Sequence, residues 1–346
     1  MIGFIKWFTN SAILDELSKF LKIIPIDVVD EFGCHNRHEF NHLPHQNKKY
    51  YCDQIVKVLT KHQIKTLILT FDWIESMRLI VVVAKNMGIE TVLVPHESVM
   101  QNVSRYYKDM KTKNNKPSCK HILIWGDLQK RIFLSRGIKE QNMQIMGTPK
   151  FDCYFTEKFN KSEFLKKYDF PEQPTIVMCC QYFDTQYTNQ KNALNRQMEC
   201  SRFISRWANN NGYNFIARIP TGGIDIPLEA STVDGIVDNN ITIYKSSIVE
   251  TIQCCDFLVS FNSTTILEAS IANKPTAIMG WFKFWPMWTV EYGVPMVDQS
   301  GFGSLVKKTL NHGRTMKNFN KAEIDFSYGK FDGKSASKIA EFILSL

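Results

Sequence analysis

Residues 259–278 read VSFNSTTILEASIANKPTAI: an apolar run, a break carrying Ser263, Thr264 and Thr265, a short amphipathic run, and a second apolar run after Lys274 and Pro275. The outer runs have the length and composition of buried strands, and the middle run has helical spacing. Strand, helix and strand in that order make a crossover unit of a parallel sheet. The same alternation spreads in both directions. TLILTFD (66–72), VLVPHES (92–98), HILIWG (121–126) and QNMQIMG (141–147) read as strands between helical stretches at 50–63, 73–88 and 127–137. It restarts with PTIVMCCQYFD (174–184), a long helix over 190–212 and YNFIARIP (213–220). Two successive α/β halves predict two Rossmann-like domains, with parallel sheets facing a cleft. The expected boundaries are 1–155 for the N-terminal domain and 170–330 for the C-terminal domain. SEFLKKYDFPEQP (162–174) reads as a linker between them. The amphipathic end, 331–346, is expected to be a helix that packs back across the cleft.

Composition narrows the function classes. A length of 346 residues is long for one core, and 44% hydrophobic with 22% charged residues is ordinary for a globular protein. Nine cysteines without framework spacing, and without a CxxC, argue against a secreted disulfide scaffold. The start, MIGFIKWFTN, does not read as a signal peptide, and no stretch has the roughly 18 to 20 apolar residues of a membrane span. These features lead us to expect a soluble, cytoplasmic protein. The net charge of +8 predicts attraction to anionic partners: nucleic acid, lipid headgroups or phosphorylated substrates. The lysines are not interleaved with aromatics in an RNA-binding pattern, which disfavours nucleic acid.

In open parallel sheets, ligands sit beyond the carboxyl ends of the strands. That rule selects Asp72, His96 to Ser98, Gly147 to Pro149, Arg218 to Gly223, Lys245 to Ser247, and the hydroxyl-rich break at 263–265. At the break, hydroxyls and free backbone N–H groups at a helix start suit a phosphate. Thr265 followed by Glu268 also has the spacing of a capping box, as does Ser247 followed by Glu250. Capping and ligand binding are compatible.

CDFLVSFNSTTILEASIANKPTAI (255–278) resembles the donor-nucleotide segment of GT-B glycosyltransferases, in the branch of capsule Kdo transferases and CDP-glycerol glycerophosphotransferases. ILIWGDLQKRIFLSRGIKEQNMQIMGTPKFD (122–152) is similar to the end of the N-terminal domain in these surface-polysaccharide proteins, closing on Gly147, Pro149, Phe151 and Asp152. The strand ending VLVPHES resembles one whose histidine faces the cleft. The resemblance implies that Ser263, Thr264 and Thr265 hold donor phosphates and that Glu268 reads ribose. Arg218 and Lys245 would neutralise phosphate, and Gly147, Thr148 and Pro149 would line the donor site. Where relatives have a histidine after the arginine, this chain has Ile219 and Pro220.

Transfer to a hydroxyl with inversion needs a base. His96, Glu97 and Asp72 are the candidates, His96 first because its unperturbed pKa lies near neutrality. A loop histidine bonded to backbone is the bland alternative. No DxD pair appears, so neither metal nor cofactor is implied. CHNRHEFNHLPH (34–45) is rich in metal-ligand types, yet its spacing matches no closed finger and it reads as a surface loop. WFKFWPMW (281–288) suits core packing, sugar stacking or shallow membrane contact.

The resulting expectation is a metal-independent glycosyltransferase of capsule or lipopolysaccharide type. Its donor is CMP-, CDP- or UDP-linked and its acceptor a glycan or glycolipid, met in the cytoplasm or peripherally at the inner face of the membrane. A nucleotide-sugar epimerase or hydrolase of the same fold, and a nucleic-acid-binding α/β protein, are the alternatives.

Overall fold

The structure is a computed structural model describing residues 1–7, 10–97, 106–109, 112–180, 193–218, 247–261, 263–281, 294–311 and 331–346. The chain divides into two compact units, Met1–Phe155 with Ala322–Leu346, and Thr156–Lys321.

The first unit runs β1 (Ile2–Lys6), α1 (Ser11–Ser18), β2 (Ile23–Asp27), α2 (Arg37–Gln46), α3 (Lys48–Lys61), β3 (Thr66–Leu69), α4 (Glu75–Asn86), β4 (Glu90–Leu93), β5 (His121–Ile124), α5 (Asp127–Ser135) and β6 (Met143–Ile145). The short helix α6 (Cys153–Thr156) follows. Its six strands are parallel, in the order β2-β1-β3-β4-β5-β6. β3 is buried along its whole length, as a strand covered on both faces must be, which explains its unbroken apolar run.

The second unit runs α7 (Lys161–Lys167), β7 (Thr175–Cys179), α8 (Ala193–Asn210), β8 (Asn214–Arg218), α9 (Ile248–Cys254), β9 (Phe257–Ser260), α10 (Thr265–Ile271), β10 (Thr276–Met279), β11 (Met296–Val297) and α11 (Phe302–Asn311). Its sheet is also parallel, in the order β11-β10-β9-β7-β8. Read from its own first strand, this is the 2-1-3-4-5 order that the first sheet also contains. In such a sheet the strand order reverses beside the first strand, and the crevice there is where ligands bind. The two switch points fall between β1 and β3, and between β7 and β9.

Each sheet carries its own core. Phe4, Ile68, Val92 and Leu123 pack with α1 in the first. The C-terminal helix α12 (Ser335–Leu344) adds Ala336, Ile339, Ala340 and Ile343 to that core. Ile176, Met178, Phe215, Phe257 and Val259 pack with Cys200, Ile204 and Ala208 of α8 in the second. Among the described residues no helix is long and apolar enough to cross a membrane.

Two segments differ from the sequence reading. The first part of the stretch read as linker, 162–167, lies in α7 (Lys161–Lys167) within the second unit. Phe164 and Leu165 are buried there, Asn160 accepts the Glu163 N–H at 3.2 Å, and Lys161 pairs with Asp256 at 2.6 Å. Most of 34–45, read as a surface loop, lies in α2 (Arg37–Gln46) although Pro44 is inside that helix. Asn36 accepts the Glu39 N–H at 2.9 Å, while Glu39 accepts from His35 N–H at 2.7 Å. Phe40 anchors the helix against Phe32, Tyr51 and Trp7, with ring centroids 5.6–6.0 Å apart. A proline near the end of a helix removes one backbone hydrogen bond, and aromatic burial outweighs that loss.

Candidate active site

At the first switch point, β1, β3 and β4 end on adjacent turns. Asn10 precedes α1, and its buried side-chain amide donates to Ile5 O and to Thr70 Oγ1, each at 3.0 Å, tying the ends of β1 and β3 together. Thr70 then offers its carbonyl oxygen to His96 Nδ1 at 3.2 Å. A carbonyl can only accept, so Nδ1 carries a hydrogen whether the ring is neutral or charged, and Nε2 holds a lone pair in the neutral ring alone. Nε2 lies 3.5 Å from Glu97 Oε1, and the His96 ring stands edge-on to Phe71 at 5.4 Å. Burial alone would raise the Glu97 pKa, but the hydrogen bond and charge that the protonated His96 ring offers hold it below the ordinary glutamate value. Trp125 Nε1 donates to Pro95 O at 2.7 Å and Gln129 Nε2 to Glu97 O at 3.1 Å, so the turn is braced from below.

Asp72 has a different duty. Fully buried, it accepts from Ser118 N at 2.6 Å, Ser118 Oγ at 2.9 Å, Cys119 N at 2.8 Å and the Tyr107 hydroxyl. Burial raises its pKa and the Ser118 and Cys119 hydrogen bonds oppose that rise. Both oxygens are engaged in pinning the 106–119 segment to the end of β3. Asp72 is a structural staple here, not an open carboxylate.

Gly147, Thr148 and Pro149 belong to the first unit, whereas Arg218 and 263–268 belong to the second. Gly147 has φ +77°, and a Cβ there would stand 2.6 Å from Ser335 Oγ. Thr148 is fully buried, and Pro149 opens a 3-10 turn. Asp152 Oδ2 accepts the Ala336 N–H at 2.7 Å, and Phe151 sits edge-on to Trp125 and Phe331. The motif docks the C-terminal helix.

At the second switch point, Arg218 ends β8 and is almost fully buried. Cys180 N–H donates to Arg218 O at 2.8 Å, and Ser260 Oγ to Cys179 O at 2.7 Å, locking β7 between its neighbours. The Cys179 thiol is pushed up to about 12, chiefly by burial; the Thr265 hydroxyl and the Arg218 charge pull it down and Glu268 pushes it further up. Arg218 and the start of α10 thus lie beyond the carboxyl ends of β8 and β9, the strands on either side of β7. Glu268 is buried and accepts from Thr264 Oγ1 at 3.3 Å.

The capping box expected from Thr265 and Glu268 does not form. Thr265 is already inside α10, Ser263 Oγ accepts its N–H at 3.2 Å, and Thr264 is the boundary residue. Ser247, by contrast, accepts the Glu250 N–H at 3.0 Å as its spacing predicted. Lys245, Ile219, Pro220, Gly222 and Gly223, and residues 282–288 of the tryptophan-rich stretch, lie outside the described residues. Of the histidine-rich stretch, His45 Nδ1 lies 3.5 Å from Glu75 Oε2 and Cys34 is buried.

Sequence reasoning missed Asn10, Thr70 and Cys179. Asn10 had a usable signal, a capping-type residue between the apolar run IGFIK and the periodic SAILDEL. The other two had none.

No protein-family model and no curated protein sequence matches this chain. Solved structures do. An S. aureus MnaA–UDP co-structure shares 12% identity, covers 99% of this chain and 95% of its own, and has a TM-score of 0.64. The UDP-GlcNAc 2-epimerase from Methanocaldococcus jannaschii shares 15%, covers 100% and 99%, with a TM-score of 0.63. The wall teichoic acid polymerase TagF shares 11%, covers 100% and 88%, with a TM-score of 0.64. At such identities the likeness speaks for architecture: two parallel α/β units of Rossmann type, the GT-B fold.

Proposed function

We propose that this chain is an enzyme that moves a sugar, or a polyol phosphate, from a nucleotide-activated donor to a cell-surface glycan or glycolipid, in the manner of capsule Kdo and CDP-glycerol transferases. One observation carries the reading: beside the second switch point a buried guanidinium, Arg218, ends β8, and a buried carboxylate, Glu268, stands in the first turn of α10 behind the hydroxyl-bearing turn 263–265. A nucleoside diphosphate presents complementary chemistry. Arg218 supplies charge-assisted donors for phosphate, Ser263, Thr264 and Thr265 supply hydroxyls, and Glu268 can accept from two ribose hydroxyls. The names of the similar structures, two of which carry UDP or UDP-GlcNAc, support a nucleotide donor of the UDP type. In the first unit His96 takes the acceptor proton at Nε2, and Glu97 stabilises the imidazolium that results. Asp72 is left out of the chemistry because both its carboxylate oxygens are engaged, and Gly147 because it packs against Ser335. The site of action in this reading is the cytoplasmic face of the membrane.

A second reading, a nucleotide-sugar epimerase, is supported by the likeness to the M. jannaschii epimerase along the whole chain. The two differ in what they require. An epimerase converts UDP-GlcNAc alone, whereas a transferase releases UDP only when an acceptor is present.

The test is a thermal-shift series with UDP, CDP and CMP on the wild type and on Glu268→Gln. A nucleotide at 100 times its Kd should stabilise by about 2.7 kcal/mol. Glutamine can still accept from Thr264, so the variant should melt near wild type. Loss of a charged acceptor costs about 1.5–3 kcal/mol, so nucleotide affinity should fall at least tenfold. A wild type that none of the three stabilises, or a variant that binds as tightly as wild type, would remove the basis for this reading.

A further inference from the structure

One face of α8 is buried: Cys200, Ile204 and Ala208 enter the second core. Around the helix from that face, Arg202, Phe203, Arg206 and Trp207 line a groove of about 450 Å³. Its size falls within the roughly 300–1,000 Å³ typical of small-ligand sites. None of its lining residues belongs to the cluster around Cys179.

Packing holds the floor in place. Phe203 meets Trp281 edge-on at 5.1 Å. Trp207 stacks on Tyr213 at 5.4 Å and meets Phe302 edge-on at 5.3 Å. Gly303 lets α11 come this close, since a Cβ there would stand 2.5 Å from Trp207 Nε1. An aromatic floor so constrained is preorganised for a ligand, at little entropic cost on binding.

The rim decides which ligand. Arg202 and Arg206 are four residues apart, so their Cβ atoms lie about 5–6 Å apart on one face and both guanidinium groups can reach a single anion. The planar guanidinium fork matches phosphate oxygens. Lys307 Nζ stands 5.9 Å from the Trp207 ring centroid and adds positive charge nearby. Among the described residues Glu199 is the one carboxylate in the lining, and Asn210 and Gln299 contribute amides. Cations therefore outnumber anions, and neutral hydrogen-bonding groups stand beside them. An ordinary solvated arginine face has no concavity and no aromatic floor.

We propose that this groove binds a sugar phosphate monoester. Arg202 and Arg206 take the phosphoryl oxygens, Asn210 and Gln299 take sugar hydroxyls, and the floor receives the C–H face of the ring. This inference stands apart from the nucleotide reading above and does not depend on it.

Isothermal titration calorimetry of the full chain tests it, with glucose 1-phosphate, inorganic phosphate and glucose as probes. Arg206 is exposed, so Arg206→Gln should fold normally, and the Arg202→Gln/Arg206→Gln double variant extends the series. Glucose 1-phosphate should bind the wild type more tightly than phosphate or glucose does. Its affinity should fall at least tenfold in Arg206→Gln, further in the double variant, and stay unchanged in Glu268→Gln. Four results would overturn the proposal: no heat with glucose 1-phosphate at millimolar concentration, equal affinity in wild type and Arg206→Gln, phosphate binding as tightly as the sugar phosphate, or sedimentation with anionic vesicles that glucose 1-phosphate does not reduce.

Discussion

Thr70 offers its hydroxyl to Asn10 and its carbonyl to His96, so one residue joins a strand tie to a histidine tautomer. With Nδ1 held as the donor, Nε2 is left as the only ring atom able to accept a proton, and Glu97 lies 3.5 Å from it. A general base needs that arrangement before any substrate arrives. If His96 serves as the base, His96→Ala should lower kcat by about 10² to 10⁴ and leave UDP or CDP affinity near wild type. Steady-state kinetics with nucleotide titration checks it. Normal turnover with lost nucleotide binding would reassign His96 to substrate binding.

At the scale of elements, the 147–152 turn and α12 belong together. Gly147 admits Ser335, Asp152 receives the Ala336 N–H, and Phe151 meets Phe331 edge-on just before the helix. Gly147→Ala should therefore cost more than a positive φ alone, which is about 1–2 kcal/mol. Gly88 provides the control, with φ +75° and nothing within 4 Å of a Cβ. Urea unfolding should rank Gly147→Ala as the more destabilising change. Equal losses would mean that the close approach to Ser335 contributes nothing. The helices α2 and α7 carry a related lesson. Both looked like irregular chain because Pro44, Pro171 and many charges dominate those stretches, yet Phe40, Phe164 and Leu165 secure them. One or two apolar anchors per helix suffice when a core is waiting to receive them.

For the whole molecule, the two sheets share one strand order but not one core. Phe257 is fully buried in β9, among the second set. Phe257→Ala should cost about 3–5 kcal/mol, as large-to-small changes at buried aromatics do. Hydrogen exchange should then quicken in β7, β8, β9 and β10 while β1, β3 and β4 keep their protection. Equal loss of protection in both sheets would show that the two units unfold as one.

The parallel α/β class, the alternation of elements and the repeat of the pattern after residue 174 were legible in the sequence. They rest on local periodicity, and a buried strand between crossover helices has an apolar run whatever its partners are. The Ser247 cap was legible for the same reason, because three residues of spacing determine it. The Thr265 box had equal spacing and failed, since α10 begins one residue earlier than that box requires. Among the candidate site residues, His96 and Glu268 could be picked out as strand-end and helix-start polar groups. Strand order decided which of them share a switch point. Tertiary contacts alone turned Asp72 into a staple and 147–149 into a helix dock. They also made Thr70 the acceptor that sets the His96 tautomer. Such roles depend on which groups meet across 26 to 184 residues of chain, and the free energy of those meetings comes from burial and hydrogen bonds that no local pattern records.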